Sequence, residues 1–308
     1  MQITVLGAGV IGLTTAIELQ RAGHDVQVVA AQPGLDATSG AAGAVWLPVR
    51  IEPGGREFDW AMRGYRALRE IAASHPEAGV DILVACEVAE EDERPWWADA
   101  VDGLEYLPDL SAIYPRAQSA WIFLAPRCEP ALYIPWLEAQ LDNPVEWRQV
   151  SDIRLLRGEL IVNCAGLGAR ELCDDHELTG VLGQTVIVEQ GTLRPDTFIG
   201  DERDQLAIFY AIPRRGEVVL GGCRTEISAS TVPAPDPVLR EAILARCRAG
   251  GYEPGRIIRE RSGLRPVRTR IRLEREGRII HNYGHGGAGY TLSWGCAAEV
   301  ASLATGSR

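Results

Sequence analysis

The 308-residue sequence contains no lysine, so all 31 of its Lys+Arg positions are arginines. That absence excludes a Schiff-base enzyme, an internal pyridoxal phosphate aldimine and a P-loop, each of which needs an ε-ammonium. Arginine is a permanently charged planar fork. It suits bidentate recognition of carboxylate or phosphate and does not serve as a proton-transfer base near neutral pH. Net positive charge is lacking too: 42 Asp+Glu leave a formal charge of −11 and a pI near 5.1, which argues against nucleic acid as a partner. Paired cysteine motifs are missing. Cys86, Cys128, Cys164, Cys173, Cys223, Cys247 and Cys296 are odd in number and scattered, never in C-x-x-C spacing, so reduced and mostly buried thiols are expected. No apolar run reaches the roughly 18 residues a membrane span needs. The chain begins on a strand-like Gln2-Ile3-Thr4-Val5-Leu6 with no basic leader, and Gly306-Ser307-Arg308 is not a peroxisomal signal, so a soluble cytoplasmic protein is expected.

What remains is ordinary globular material, 46% hydrophobic and 24% charged, with length enough for about two domains. The strongest local pattern comes first. Ile3, Val5 and Leu6 form an apolar run, Gly7-Ala8-Gly9-Val10-Ile11-Gly12 follows, and Leu13 to Leu19 continues at helical spacing until Gly23. Val26, Val28 and Val29 make a second buried strand, so residues 2–30 read as one βαβ unit. In that setting a G-x-G-x-x-G loop is a strong dinucleotide signal. Gly7 allows the tight turn, Gly9 admits a pyrophosphate to the backbone, and Gly12 lets the helix sit close to the sheet, with the helix N-terminus facing the phosphates. The carboxylate that holds a ribose in plain NAD enzymes is replaced by Ala30-Ala31-Gln32, leaving Gln32 for the ribose.

The small residues Thr38-Ser39-Gly40-Ala41-Ala42-Gly43-Ala44, ending in Val45-Trp46-Leu47-Pro48, read as a ligand-lining loop rather than a surface linker. Residues 58–75 fit one amphipathic helix, residues 76–135 a meander of strands and loops, and Tyr133 to Leu137 the start of a returning helix. Leu160 to Asn163 is a buried strand running into a second glycine turn around Gly166. Val181 to Gly222 alternates as antiparallel strands do, and Val238 to Arg248 is helical. An arginine-rich stretch, Arg259 to Arg272, precedes a third strand and glycine loop, Ile279 to Thr291, with helical spacing resuming at Leu292. His281 and His285 are four apart, but the glycines around them forbid a regular helix, so no metal site is expected.

Three glycine turns at strand ends suggest one large ligand along one sheet rim, and FAD has that size. The segments G-A-G-V-I-G, A-A-G-A-V-W-L-P, V-N-C-A-G-L-G-A, E-R-S-G-L-R-P-V-R and H-N-Y-G-H-G-G-A-G-Y-T-L, in this order over the whole chain, strongly resemble the D-amino-acid oxidase family. The resemblance implies an α/β fold: an FAD-binding Rossmann-like domain of the glutathione-reductase type (1–57, 137–182 and 257–308) and a discontinuous second domain on a mostly antiparallel sheet (58–136 and 183–256). It implies that Arg265 of the G-x-R-P motif pairs with the substrate carboxylate. Tyr210 in Tyr210-Ala211-Ile212-Pro213 reaches the same group, and the Gly287 carbonyl accepts from the substrate amine. Around FAD it places Gly7, Ala8, Gly9, Val10, Ile11, Gly12, Gln32, Ser39, Gly40, Gly43, Ala44, Val45, Gly166, Arg265, Gly286, Gly287, Gly289, Tyr290 and Thr291. No general base is assigned, because hydride transfer from Cα to the flavin needs none. Leu206 stands where eukaryotic relatives have a second active-site tyrosine.

The implied reaction is oxidative deamination of neutral D-amino acids, with oxygen as acceptor. The partners are a small-molecule substrate and oxygen, with no nucleic acid and no membrane, and a homodimer is left open. Alternatives are a D-aspartate oxidase or a glycine/sarcosine oxidase, more remotely an NAD-dependent dehydrogenase, and a flavin-binding module without turnover. An acidic substrate needs a second cation, and Arg214 or Arg215 is available, although a solvated hairpin turn is the plainer expectation for both. Related flavin amine oxidases that keep a lysine near the flavin are excluded by its absence here.

Overall fold

The glycine loop works as expected because backbone, not side chain, fills the space around it. A Cβ on Gly7 would lie 2.4 Å from the Cys164 carbonyl oxygen, and one on Gly12 would lie 1.9 Å from the Gly7 carbonyl oxygen. In the computed structural model this loop joins β1 (Gln2–Leu6) to α1 (Val10–Arg21), and Gly23, at φ +83°, stops the helix before β2 (Asp25–Ala30). The structure describes every residue except 49–50, 52–53, 90–91, 93, 113–118, 204–207, 224, 228–231 and 307–308, together with the backbone alone of 225–227.

In chain order there follow α2 (Thr38–Ala41), α3 (Arg56–Ser74), β3 (Val80–Ala89), β4 (Glu105–Leu107), β5 (Ser119–Cys128), α4 (Pro130–Glu138), β6 (Glu146–Trp147), β7 (Leu160–Asn163) and α5 (Ala169–Leu172). The second half adds β8 (Thr179–Glu189), β9 (Thr197–Asp201), β10 (Phe209–Pro213), β11 (Glu217–Gly221), β12 (Thr225–Ile227), α6 (Pro237–Ala249), β13 (Ile257–Glu276), β14 (Ile279–His285) and α7 (Gly289–Thr305). The helix in α3 starts at Arg56, α4 starts at Pro130 ahead of Tyr133, and α7 starts three residues before Leu292.

One hydrogen-bonded path runs β4-β5-β3-β9-β10-β11-β8-β13-β14-β7-β1-β2-β6, with β12 added on β8. From β14 to β6 every pairing is parallel; elsewhere the pairings are antiparallel, except β3 with β9. The arginine-rich stretch is the long strand β13, which joins the halves by pairing β8 on one side and β14 on the other. The expected division at 182/183 falls inside β8.

The larger core packs α1, α3, α4 and α7 around the parallel half. Trp46, Tyr133, Leu13, Leu19 and Leu68 are among its fully buried side chains. Fully burying a Leu or Ile stabilises by about 1.5–3 kcal/mol. Glycines set the closest approach of α3 to α7: a Cβ on Gly64 would lie 2.1 Å from the Thr291 carbonyl oxygen, and one on Gly295 2.2 Å from Trp60 Cα. A second core lies under α6, where Ile243, Leu244 and Cys247 cover Val186, Val188, Phe209 and Leu220. That helix starts where the sequence signals it, on an Asp236 cap 2.8 Å from the Val238 N–H with Pro237 in the first turn. All seven cysteines are free, six of them buried, and burial pushes the Cys86, Cys164 and Cys247 thiols up to about 12. Among the described residues no helix is long and apolar enough to cross a membrane.

Candidate active site

The C-terminal ends of β1, β7 and β14 meet the starts of α1 and α7, and the predicted cofactor residues gather there. Gly9 caps α1 in an extended conformation, and the nearest atom to a Cβ at that position is Ser39 Oγ at 3.0 Å. The Val10 N–H donates to the same oxygen at 3.0 Å. The next two amides of the helix, at Ile11 and Gly12, have no partner within the helix and a positive dipole end behind them. Ala8 and Val10 are buried, so they present backbone only. Gly166, at φ +56°, has nothing within 4 Å of a Cβ, which leaves its turn open. Gln32 is exposed after β2, with Nε2 3.4 Å from the Asp36 carbonyl oxygen.

The segment 38–47 is pinned along its length, so it is not a free linker. Thr38 Oγ1 donates to the Leu264 carbonyl at 2.8 Å, Tyr290 OH to the Ser39 carbonyl at 2.9 Å, and Arg261 to the Gly40 carbonyl at 2.6 Å. The Cys128 N–H donates to the Ala44 carbonyl and the Trp46 N–H to the Pro126 carbonyl, both at 2.8 Å. Val45 is buried against Arg127 in that bridge, and Ala44 takes φ +60°, a left-handed conformation unusual for alanine. The Leu47 N–H reaches Thr291 Oγ1 at 3.3 Å.

Helix α7 starts without a side-chain cap at Ala288, so the Gly289, Tyr290 and Thr291 amides face outward from its N-terminus. A Cβ on Gly289 would come 3.7 Å from Val10 Cγ1, which puts the starts of α1 and α7 side by side. Before α7, Gly286 turns at φ +56° and its N–H donates to the Pro266 carbonyl at 2.8 Å. That bond brings the loop over β13, and a Cβ on Gly287 would be 3.6 Å from Arg265 Cδ and 3.8 Å from its Nε.

Alternation on β13 turns Arg261, Gly263 and Arg265 to one face: Arg261 meets Gly40, and a Cβ on Gly263 would lie 3.3 Å from Ala41 Cβ. Arg265 Nη1 donates to the Cys223 carbonyl at 3.1 Å and the Leu182 carbonyl at 3.3 Å. Gly183 is required beneath it, since a Cβ there would be 2.7 Å from the guanidinium carbon. Tyr210 lies across Gly221, its cross-strand partner, where a Cβ would sit 2.2 Å from the phenol oxygen. Arg265 and Gly287 are thus brought together, and Tyr210 lies over Gly221, two residues before the Cys223 whose carbonyl holds Arg265. Leu206 lies outside the described residues.

One expectation changes. Arg214 is not a solvated turn residue: its side chain is 9% exposed, with Nη2 donating at 3.1 Å to both the Ala42 and Gly43 carbonyls and Nη1 3.4 Å from Glu129 Oε2. Burial pushes its pKa down while the Glu129 carboxylate pushes it back up. Arg215, 59% exposed and 3.8 Å from Asp81, matches the solvated expectation. Arg127, also buried, donates to the Pro213 carbonyl and pairs with Asp81 and with Glu129. Glu129 and Arg127 lie outside the expected residues; the two-residue spacing Tyr210, Ile212, Arg214 puts all three on one strand face but does not reveal what Arg214 meets there. His281 and His285 lie on β14, His281 Nε2 3.2 Å from Glu276 and His285 buried, and no metal-binding group is found among the described residues.

The geometry fits a dinucleotide: two helix starts with available amides, side by side, and glycines wherever a Cβ would strike backbone. The family model described as FAD dependent oxidoreductase matches residues 2–303. The D-amino-acid oxidase of Rubrobacter xylanophilus is 38% identical, covering 97% of this chain and 94% of that protein. Human D-aspartate oxidase is 31% identical over 98% of this chain and 94% of its own length. The structure of glycine oxidase from Bacillus cereus has the same fold, with a TM-score of 0.81 at 20% identity, covering 99% of this chain and 97% of that one. From its sequence and its fold, therefore, the chain belongs to the D-amino-acid oxidase family of FAD-dependent oxidoreductases.

Proposed function

We propose that this chain oxidises neutral D-amino acids to 2-oxo acids, ammonia and hydrogen peroxide, in the cytoplasm. The observation that carries the reading is Arg265, held on β13 against the Gly287 loop that leads into α7, with Tyr210 over Gly221, two residues before the Cys223 whose carbonyl holds Arg265. The D-amino-acid oxidase name of a 38%-identical relative supports it.

The Arg265 guanidinium is held at one nitrogen by two carbonyls, which aims its remaining donors and leaves little rotamer freedom to lose when a carboxylate arrives. Tyr210 OH adds a neutral donor to the same carboxylate. The Gly287 carbonyl accepts from the substrate amine, which reacts in its neutral form so that the nitrogen lone pair can assist as Cα is oxidised. When bound, FAD supplies the two-electron acceptor for the hydride leaving Cα and the route by which oxygen becomes peroxide. The amides of Ile11 and Gly12 would hold its pyrophosphate, and those of Gly289 to Thr291 would serve its ring. Orientation is then the main contribution of the protein. Water hydrolyses the imino acid.

Neutral substrates are favoured because the two arginines offered for a second carboxylate are engaged, Arg214 by Glu129 and two carbonyls and Arg215 beside Asp81. Purified protein is expected to be yellow, to bleach anaerobically with D-alanine or D-valine, and to ignore the L-enantiomers. Higher turnover of D-aspartate or glycine than of every neutral D-amino acid would overturn the substrate assignment.

A further inference from the structure

Arg214 follows β10 directly, and its backbone continues the ladder, with the N–H donating to the Glu217 carbonyl at 2.7 Å. Tyr210, Ile212 and Arg214 therefore project to the same face, and all three meet residues 42–43. A Cβ on Gly43 would lie 2.6 Å from Ile212 Cδ1 and 3.8 Å from Tyr210 Cε2, while Arg214 Nη2 binds the Ala42 and Gly43 carbonyls. Glu129, itself buried, accepts at 3.4 Å from Arg214 Nη1 and from the Arg215 N–H, and lies 3.5 Å from Arg127. A buried guanidinium with both terminal nitrogens paired and its Nε left without a hydrogen-bond partner needs a reason.

The reason lies in the peptide planes. In a trans peptide the C=O and N–H point in opposite directions, and no cis bond occurs among the described residues. Holding the carbonyls of Ala42 and Gly43 with one guanidinium consequently turns the N–H groups of Gly43 and Ala44 away from Arg214, on the side opposite the fork. The left-handed φ of +60° at Ala44 then carries the chain back to β5, where its carbonyl is taken by the Cys128 N–H. Two successive amides turned to one side form an anion-binding concavity.

We propose that Arg214 is a positioning residue that, through the Ala42 and Gly43 carbonyls, presents the Gly43 and Ala44 amides to the FAD ring system, where negative charge gathers on reduction. This rests on the assignment of residues 43–45 to the cofactor. The consequence is electrostatic as well as geometric, since donors fixed before reaction stabilise developing charge without reorganising.

The test compares Arg214→Met, Arg214→Lys and, as control, the exposed Arg215→Ala. Apoprotein is titrated with FAD, and the reconstituted proteins are titrated with sulfite, which adds to oxidised flavin and reports how well its environment accepts negative charge. Arg214→Met is expected to weaken both FAD and sulfite binding about tenfold or more, the scale of a lost charge-assisted hydrogen bond. Arg214→Lys keeps the charge without the planar fork and is expected to lose about threefold in sulfite affinity. Arg215→Ala should stay within about twofold of wild type, as expected of an exposed charge. Wild-type sulfite affinity in Arg214→Met, whatever its thermal stability, overturns the proposal and leaves Arg214 a brace. Should Arg214→Met fail to fold, Arg214→Lys decides, with unchanged sulfite affinity overturning the proposal and a resolved loss supporting it. Neither titration contains an amino acid. Failure of the wild-type protein to oxidise D-amino acids would thus defeat the proposed activity without touching this result.

Discussion

The parallel and antiparallel halves of this molecule build their shares of the site from opposite materials. In the parallel half the working surface is backbone: Gly7, Gly12 and Gly40 sit where a Cβ would overlap a carbonyl oxygen at 2.4, 1.9 and 2.0 Å, and helix amides do the facing. In the antiparallel half, and on β13 that joins it, the surface is side chain: Tyr210, Ile212, Arg214, Arg261 and Arg265 project from alternate positions of two strands. The first half suffers when atoms are added. The second suffers when they are removed. A phosphate-rich cofactor of fixed shape needs many weak donors at close quarters, whereas a small substrate gives only a carboxylate, an amine and a side chain to hold.

The largest effect expected is on the side-chain half. Arg265→Ala should lower kcat/KM for D-alanine by about 10³-fold, the cost of truncating one partner of a desolvated charge pair. Bound FAD should be retained, because most of the residues assigned to it offer backbone on the other half. Steady-state kinetics with the flavin spectrum recorded on the same sample checks both. Loss of FAD together with activity would erase the distinction between the halves, and near-normal turnover would mean the carboxylate is held elsewhere.

The complementary change adds one methyl group to the backbone half. Gly12→Ala places its Cβ 1.9 Å from the Gly7 carbonyl oxygen, which no rotamer relieves. Helix α1 must shift from β1, at a cost of about 3 kcal/mol and about a 100-fold loss of FAD affinity. Thermal unfolding and FAD titration of the apoprotein measure the two. A variant as stable as wild type that binds FAD normally would show that the loop has slack where the geometry shows none.

The same contrast explains how much was legible beforehand. The βαβ unit, β7 and the start of α7 follow from local patterns, because a parallel strand reads as a continuous apolar run and its turn as glycine. Arg265, Tyr210 and Gly287 were placed by resemblance, and of these the structure sets Gly287 beside Arg265. Three features were not legible: the pairing of β13 with both β8 and β14, the parallel contact of β3 with β9, and the buried cluster of Arg127, Glu129 and Arg214. Each depends on partners far apart in the chain. Within the arginine run, Arg268 pairs with buried Asp175 at 3.0 Å and Arg272 donates to Tyr283 OH at 2.9 Å. Burial of an arginine is decided by where its carboxylate or carbonyl lies in space, which spacing alone does not reveal.

The smallest effect lies at the seam between the halves, where His285 ends β14 opposite Val267 and leads into the Gly286-Gly287 loop. Its ring is buried and Nε2 has no hydrogen-bond partner, and burial alone pushes its pKa down to about 3. The unfolded chain titrates this group near 6.5, so the folded form is neutral throughout the physiological range. Stability from this group is fully present above the unfolded value and is lost as pH falls, since below it the unfolded state binds a proton that the folded state refuses. At pH 5, about 1.5 units below, the loss is about 2 kcal/mol. His281, also pushed down by burial, adds to the same slope and is unchanged by substitution at 285. Measuring Tm from pH 7 to pH 5 in wild type and in His285→Gln should therefore give a shallower fall in the variant, whatever its Tm at pH 7. Parallel curves would show that His285 accepts its proton in the folded protein, and that the loop carrying Gly287 is open to water rather than sealed between the two halves.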